Sequence, residues 1–260
     1  MGSPPAVPRD AATVVLLRDG SRGPEAYLLR RVTGMAFAAG MTVFPGGSVD
    51  PADAVVETPW AGPPPAAWAA RLGTSEALAG ALVCAAVRET FEEAGVLLAS
   101  PTADPGFADT GGPEWEADRV ALEGRSANLT ELLVRRGLVL RADYLRAWAH
   151  WITPEAEPRR FDTRFFVAAL PEQQSTRDVG GEADRVHWMR PTDAVEAFHR
   201  GELPMMPPTA LTLAEMSPYP SVADILAAAA ERIITPIRPR LVPGDGPRRV
   251  LLPGDEGYDR

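Results

Sequence analysis

Three glutamates within one helical turn, Glu89, Glu92 and Glu93, constrain this chain more than any other stretch. Their i, i+3, i+4 spacing sets all three carboxylates on one side of a helix with 3.6 residues per turn. Like charges so placed repel by about 0.2–0.5 kcal/mol per pair on an exposed helix, and by more where water is excluded. A hard divalent cation among them removes that cost, because Mg²⁺ takes its ligands from carboxylates and substrate phosphates. The plain alternative is a solvated acidic helix face. The neighbours favour the cation. Arg88 stands beside the first glutamate to hold a carboxylate, and Gly95 is a helix-ending residue. Some forty residues upstream, Phe44-Pro45-Gly46-Gly47 offers backbone that can approach a ligand closely and present a bare carbonyl.

In these residues the chain resembles the Nudix hydrolases, whose box reads G-x5-E-x7-R-E-U-x-E-E-x-G-U, with U aliphatic. Arg88 to Val96 match the right half at every polar position, and Thr90 occupies a place that normally packs into the core. The left half begins at Gly47, and Asp53 stands where the family has Glu. An uninterrupted box would put its Arg at position 61; here it is Arg88, so 27 residues are inserted inside the motif. In the family the missing Glu supports the helix and the Arg, which leaves Asp53 or Glu76 to brace Arg88. Leu28-Leu29 and Gly40-x3-Phe44-Pro45-Gly46-Gly47 fit half of an upstream signature of Nudix enzymes that cleave coenzyme A, but Ala36 sits where its second Arg belongs. The run Arg159 to Phe166, with Trp151-Ile152-Thr153-Pro154 ahead of it, resembles the subgroup of peroxisomal coenzyme A diphosphatases, whose box is also split by an insertion.

The resemblance implies an α/β fold with a central mixed sheet between helices. It implies Mg²⁺ or Mn²⁺ held by Glu89, Glu92, Glu93 and the carbonyl of Gly46, with Arg88 orienting the carboxylates. Glu89 or Glu182 would serve as general base, and Arg31, Phe44, Gly47 and Arg164 would contact the substrate. The expected reaction is hydrolysis of a small-molecule diphosphate joined to another moiety, with coenzyme A or acyl-coenzyme A as leading substrate. A nucleotide sugar or dinucleotide is the alternative substrate. A non-catalytic ligand sensor on the same fold is the rival function, although a sensor has little use for three repelling glutamates.

The flanking sequence places the domain at residues 10–235, after a flexible 1–9 and before a Pro/Gly-rich tail, 236–260. Strands are expected at Ala11–Arg18, Glu25–Arg31, Met41–Phe44, Leu145–Ile152, Thr163–Ala169 and Asp184–Met189, from their β-branched and alternating composition. Trp148, His150 and Ile152 would share one sheet face. A helix is expected from the cap Ser75 to Ala94, with Val83, Val87, Thr90 and Ala94 as its buried stripe. Further helices follow Pro191-Thr192-Asp193, Thr209 and Ser221. Pro204 to Thr209 is expected to be irregular, because proline breaks regular structure. The first insertion, about 54–75, carries Trp60 and Trp68, which either pack it down or stack on a substrate base. A second, about 100–143, becomes helical over Glu114–Glu123 and Asn128–Arg136, and reads equally as a cap over the pocket or as a homodimer surface.

The chain has 26 basic residues, all Arg, against 35 acidic ones, a formal charge of −9 with no basic arm, so a nucleic-acid surface is not expected. Arg159, Arg160 and Arg164 are candidate phosphate binders, since guanidinium pairs bidentately with phosphate. Cys84, the single cysteine, reads as a small core residue in a reducing cytoplasm. No apolar run reaches the ~20 residues of a membrane span.

Overall fold

The computed structural model describes residues 4–31, 39–54, 57–102, 106–177, 183–242 and 249–258. The chain opens with β1 (Arg9–Gly20) and β2 (Gly23–Arg31), then the short β3 (Thr42–Val43) and β4 (Gly46–Ser48). The first insertion supplies β5 (Trp60–Ala61) and α1 (Pro65–Leu72), and the acidic helix is α2 (Glu76–Ala94). The second insertion holds β6 (Ala99–Pro101), α3 (Pro113–Glu123), α4 (Leu129–Arg136) and β7 (Leu138–Arg141). Then come β8 (Arg146–Ile152), β9 (Phe161–Ala169), β10 (Ala183–Met189), α5 (Pro191–His199), α6 (Pro207–Met216) and α7 (Val222–Glu231). The strands β11 (Pro236–Ile237), β12 (Arg240–Val242) and β13 (Arg249–Leu251) end the described chain.

The main sheet runs β10-β2-β1-β9-β8-β11, with β3 on β2 and β4 on β1. It is mixed: β1 pairs in parallel with β9 and β8 with β11, while β1–β2 and β8–β9 are antiparallel. Both faces are covered, which is why β1 reads as a nearly continuous apolar run. Its Ala12, Val14 and Leu16 join one core cluster with Val83, Val87 and Phe91 of α2. Val15 and Leu17 join the opposite cluster with Leu213 of α6 and Ile225 of α7.

Helix α2 begins where its cap predicts, with the Ser75 hydroxyl accepting from the Leu78 N–H, and ends at Gly95, whose φ of +70° suits a residue without Cβ. Val83, Val87, Thr90 and Ala94 are buried. Thr90 fits its apolar position because its hydroxyl donates to the Ala86 carbonyl one turn back, at 2.7 Å. Cys84 is a buried free thiol, and burial pushes it up to about 12, as an inert core residue requires.

The insertions are built into the body rather than draped over it. Strands β5, β7 and β6 form a second sheet, so the first insertion pairs with the end of the second. Trp68 is buried with its ring on Phe166 at 5.6 Å, and the Trp60 Nε1–H donates to the Pro63 carbonyl. Packing, not base stacking, is what both indoles do here. In α4, Asn128 is the cap, with Glu131 completing the reciprocal pair.

Two expectations are corrected. The register of β8 on β9 shifts across Trp148, so Trp148 falls into the cluster that holds Ala149 and Trp151 instead of sharing a face with His150 and Ile152. Pro207 and Pro208 do not precede a helix capped by Thr209; they form the first turn of α6, where a missing N–H costs nothing. Beyond residue 235, β11 adds to the main sheet, and the β12–β13 hairpin is tied by the Tyr258 hydroxyl donating to the Arg238 carbonyl at 2.7 Å. Among the described residues no single helix is long and apolar enough to cross a membrane.

Since Trp68 is wedged between the first insertion and the sheet, Trp68→Ala should lower unfolding stability by about 3–5 kcal/mol in denaturant titrations. Val120, half exposed on α3, gives the control: Val120→Ala should stay within about 0.5 kcal/mol.

Candidate active site

Strand β4 brings the two glycines against both β1 and α2. A Cβ on Gly46 would lie 2.5 Å from the Ala12 carbonyl oxygen, and one on Gly47 would lie 2.4 Å from Glu89 Oε1. Only glycine lets the backbone pass this close to the carboxylates. The Gly46 N–H donates to Glu93 Oε2 at 2.8 Å, fixing the third glutamate to the loop.

Arg88 organises the rest. Its Nε and Nη2 donate to the two oxygens of Asp53 at 2.8 and 2.9 Å. Nη1 donates to Glu89 Oε1 at 2.8 Å and Glu92 Oε1 at 3.2 Å, and Nη2 also reaches the Ser48 carbonyl at 3.1 Å. All five guanidinium donors are thereby used. Asp53, not Glu76, is therefore the brace that replaces the family's missing Glu. It closes a single turn, Pro51–Asp53, in which its side chain accepts from the Asp50 N–H, and it is only 1% exposed.

Burial governs the electrostatics. Glu89 is pushed up to about 7 by desolvation, with Arg88 opposing and Glu92 adding to the rise. Glu92 is raised for the same first reason. A carboxyl poised near neutrality is suited to accept a proton at physiological pH.

One contributor escapes a motif-based reading. Arg119 of α3, 3% exposed, donates from Nη1 to the Glu92 carbonyl at 2.9 Å and to Glu123 Oε2 at 2.9 Å, while Glu116 grips its Nε and Nη2. It satisfies a carbonyl that the end of α2 leaves without a helical partner. The Glu116, Arg119, Glu123 spacing was visible as a helical ion-pair pattern; its reach to α2 was not.

The glycine loop, the Arg88 cluster and the glutamate turn line one cavity of about 910 Å³. Arg31, Phe44, Gly46, Gly47, Arg88, Glu89, Glu92, Glu93 and Arg159 are all on its wall. So are Glu123 and Arg125 of the second insertion, Met206 to Thr209, and Leu241 and Val250 of the terminal hairpin. Arg164 is not. In β9, Phe161, Thr163 and Phe165 face the cavity, so the alternate residue Arg164 points away and pairs with Asp162, which also receives His150 Nε2 at 2.6 Å. Arg160 is likewise spent on structure, donating to the carbonyls of Thr153 and Ala6. Both are corrected as phosphate binders. Glu182 lies outside the described residues.

The donor set suits a hard divalent ion, being carboxylate and carbonyl oxygen throughout. Among the described residues no three acidic, His or Cys side chains form a ready-made cage. Glu89 and Glu92 are instead drawn onto Arg88, and Glu93 onto the Gly46 N–H.

Removing the brace leaves the Nε and one Nη2 donor of a buried guanidinium without their carboxylate, so Asp53→Ala should cost about 3–5 kcal/mol in denaturant unfolding, and Asp53→Glu should recover part of it. The pH dependence has a definite sign. Glu89 holds its proton more tightly folded than unfolded, so its contribution to stability is complete below about 4.5 and is lost as pH rises through about 7. In EDTA the melting temperature should fall between about pH 5 and pH 8, and Glu89→Gln should flatten that fall.

Comparison with known proteins identifies the family. A family model, the NUDT19 Nudix domain, matches residues 64–216. The chain is similar to the acyl-coenzyme A diphosphatases NUDT19 of Gallus gallus, at 29% identity over 96% of this chain and 79% of the relative, and of Homo sapiens, at 30% over 96% and 80%. A crystal structure of a NUDIX hydrolase from Alicyclobacillus acidocaldarius superposes with a TM-score of 0.71 at 30% identity, covering 85% of this chain and 96% of that one. The chain is a Nudix hydrolase and belongs to the family of the NUDT19 Nudix domain.

Proposed function

We propose that this enzyme hydrolyses the diphosphate of coenzyme A or an acyl-coenzyme A, using a divalent cation, Mg²⁺ or Mn²⁺. The observation that carries the reading is the cavity itself, which joins the Glu89, Glu92, Glu93 turn to a long apolar wall that includes Trp151, Phe161, Phe165, Leu241 and Val250. A coenzyme A thioester needs both an anionic end and room for an apolar one. The curated relatives named acyl-coenzyme A diphosphatases support the same substrate class.

In this scheme Glu89, Glu92, Glu93 and the Gly46 carbonyl hold the cation, which when bound neutralises phosphate oxygens and lowers the pKa of water. Arg88 keeps Glu89 and Glu92 at fixed positions and takes no part in binding, because its donors are all engaged. Glu89 accepts the proton of the attacking water, with Glu182 the other candidate for that step. Water oxygen bonds to phosphorus as the bridging P–O bond breaks. Coenzyme A would thus give 4′-phosphopantetheine and adenosine 3′,5′-bisphosphate. Arg31, Phe44 and Gly47, all on the cavity wall, are the residues assigned to the substrate in this reading. A cytoplasmic setting fits the lone buried thiol of Cys84.

The test is product analysis by mass spectrometry with Mg²⁺ or Mn²⁺ and a panel of coenzyme A, acyl-coenzyme A, ADP-ribose, NADH and nucleotide sugars. The two coenzyme A products should appear with the wild type and vanish with Glu93→Gln, while circular dichroism shows that variant folded. Glu182→Gln should slow turnover. Cleavage of ADP-ribose or a nucleotide sugar in preference to coenzyme A would replace the substrate and leave the chemistry; wild-type rates in Glu93→Gln would overturn the site.

A further inference from the structure

Five helices end in a left-handed residue, and four of them use glycine for it. Gly73, Gly95 and Gly137 close α1, α2 and α4 with φ of 63°, 70° and 64°, and Gly201 follows the Arg200 cap of α5 with φ of 74°. Helix α3 is the exception. Gly124 follows it in ordinary right-handed conformation, and the left-handed place falls on Arg125, at φ 56°. Among the described residues Arg125 is the one non-glycine with positive φ. The turn is otherwise a normal helix end, with the Arg125 N–H donating to the Leu122 carbonyl and the Ser126 N–H to the Ala121 carbonyl. A side chain strained at a position that glycine fills elsewhere needs a reason outside the turn.

That reason lies in the cavity. Arg125 is on its wall, yet its side chain stays 82% exposed and makes one long contact, 3.5 Å to Asp50 Oδ2. The wall is rich in anions: Asp50, Asp53, Glu89, Glu92, Glu93 and Glu123. Arg88 has no donor left for a ligand, so a diphosphate entering this wall depends on other cations. Arg125 is one whose fork is largely unspent.

We propose that Arg125 is a substrate-binding residue whose guanidinium takes a phosphate of the incoming diphosphate, exchanging its loose contact with Asp50 for a bidentate one. The proposal rests on the diphosphate reading above. Planar guanidinium matches phosphate geometry with two parallel hydrogen bonds, which an ammonium does not. The left-handed backbone carries the side chain over the cavity mouth, so folding stability is traded for ligand affinity.

The trade can be read in two measurements on Arg125→Gly, Arg125→Asn and Arg125→Lys in the full chain. Gly and Asn tolerate left-handed backbone, so their melting temperatures should equal or exceed the wild type. Their KM for coenzyme A with Mg²⁺ should rise about tenfold or more, as loss of one charge-assisted contact predicts, with the loss falling on KM rather than kcat. Arg125→Lys should lie between, because it keeps charge and loses the fork. KM within twofold of wild type in both Arg125→Gly and Arg125→Asn would overturn the proposal. Should the wild type cleave none of the panel, that failure belongs to the substrate assignment. Calorimetric titration of inorganic pyrophosphate with Mg²⁺ then decides Arg125: weaker binding in the Gly and Asn variants supports it, and equal or absent binding throughout overturns it.

Discussion

The bidentate pair between Arg88 and Asp53 is the contact on which the site depends. It joins the turn just after the glycine loop to the middle of α2, on either side of a 27-residue interruption in the motif. Once both Asp53 oxygens are committed, the remaining guanidinium donors point at Glu89, Glu92 and the Ser48 carbonyl, and there is no freedom left in the plane. One cation thus sets the positions of two catalytic candidates and of the strand that carries Gly47. The repulsion among the glutamates, costly on a bare helix, is absorbed by that cation and by the Gly46 N–H on Glu93. Such a buried charge cluster contributes little net stability as a whole, yet each member is expensive to remove alone.

The same contact explains how a split motif tolerates its insertion. Lengthening a loop adds closure entropy only logarithmically, provided the ends are held. Here they are held by Asp53 at the start and the Ser75 cap at the end. The inserted chain then stabilises itself through Trp68 on Phe166 and through β5 on β7, which belongs to the second insertion. The second insertion in turn sends Arg119 back to the Glu92 carbonyl. The two interruptions therefore brace each other and the acidic turn, and α3 and α4 bring Glu123, Arg125 and Leu129 to the cavity wall.

How far the sequence disclosed this follows from what kind of information each contact carries. Helix α2, its Ser75 cap, its buried stripe and its Gly95 end rest on local chemistry, and all are legible in the one window from Ser75 to Gly95. The glutamate turn and the glycine loop are legible as a motif. Asp53 was legible only as one of two options, because choosing it over Glu76 requires knowing where the turn at Pro51 lies relative to Arg88. Arg164 was misread for a parity reason. In a strand, one residue of register decides which face a side chain takes, and the pattern of β9 is apolar on both faces past Arg164. The bulge at Trp148 is the same kind of failure, since an extra residue is invisible until the partner strand is placed. The reach of Arg119 to α2 and of the terminal hairpin to the cavity spans tens of residues, a distance that no local pattern records.

Charge gives the arrangement its direction. A chain of net −9 that gathers carboxylates on one cavity wall repels a diphosphate unless something intervenes. Arg88 cannot be that agent, being saturated by its own neighbours. Desolvation pushes Glu89 up to about 7, with Arg88 opposing and Glu92 adding to the rise, so burial itself lessens the charge this wall carries. An exposed glutamate at the same place would stay ionised at neutral pH and add a full charge to the wall, whereas the buried one is positioned by Arg88 and its charge is set by its surroundings.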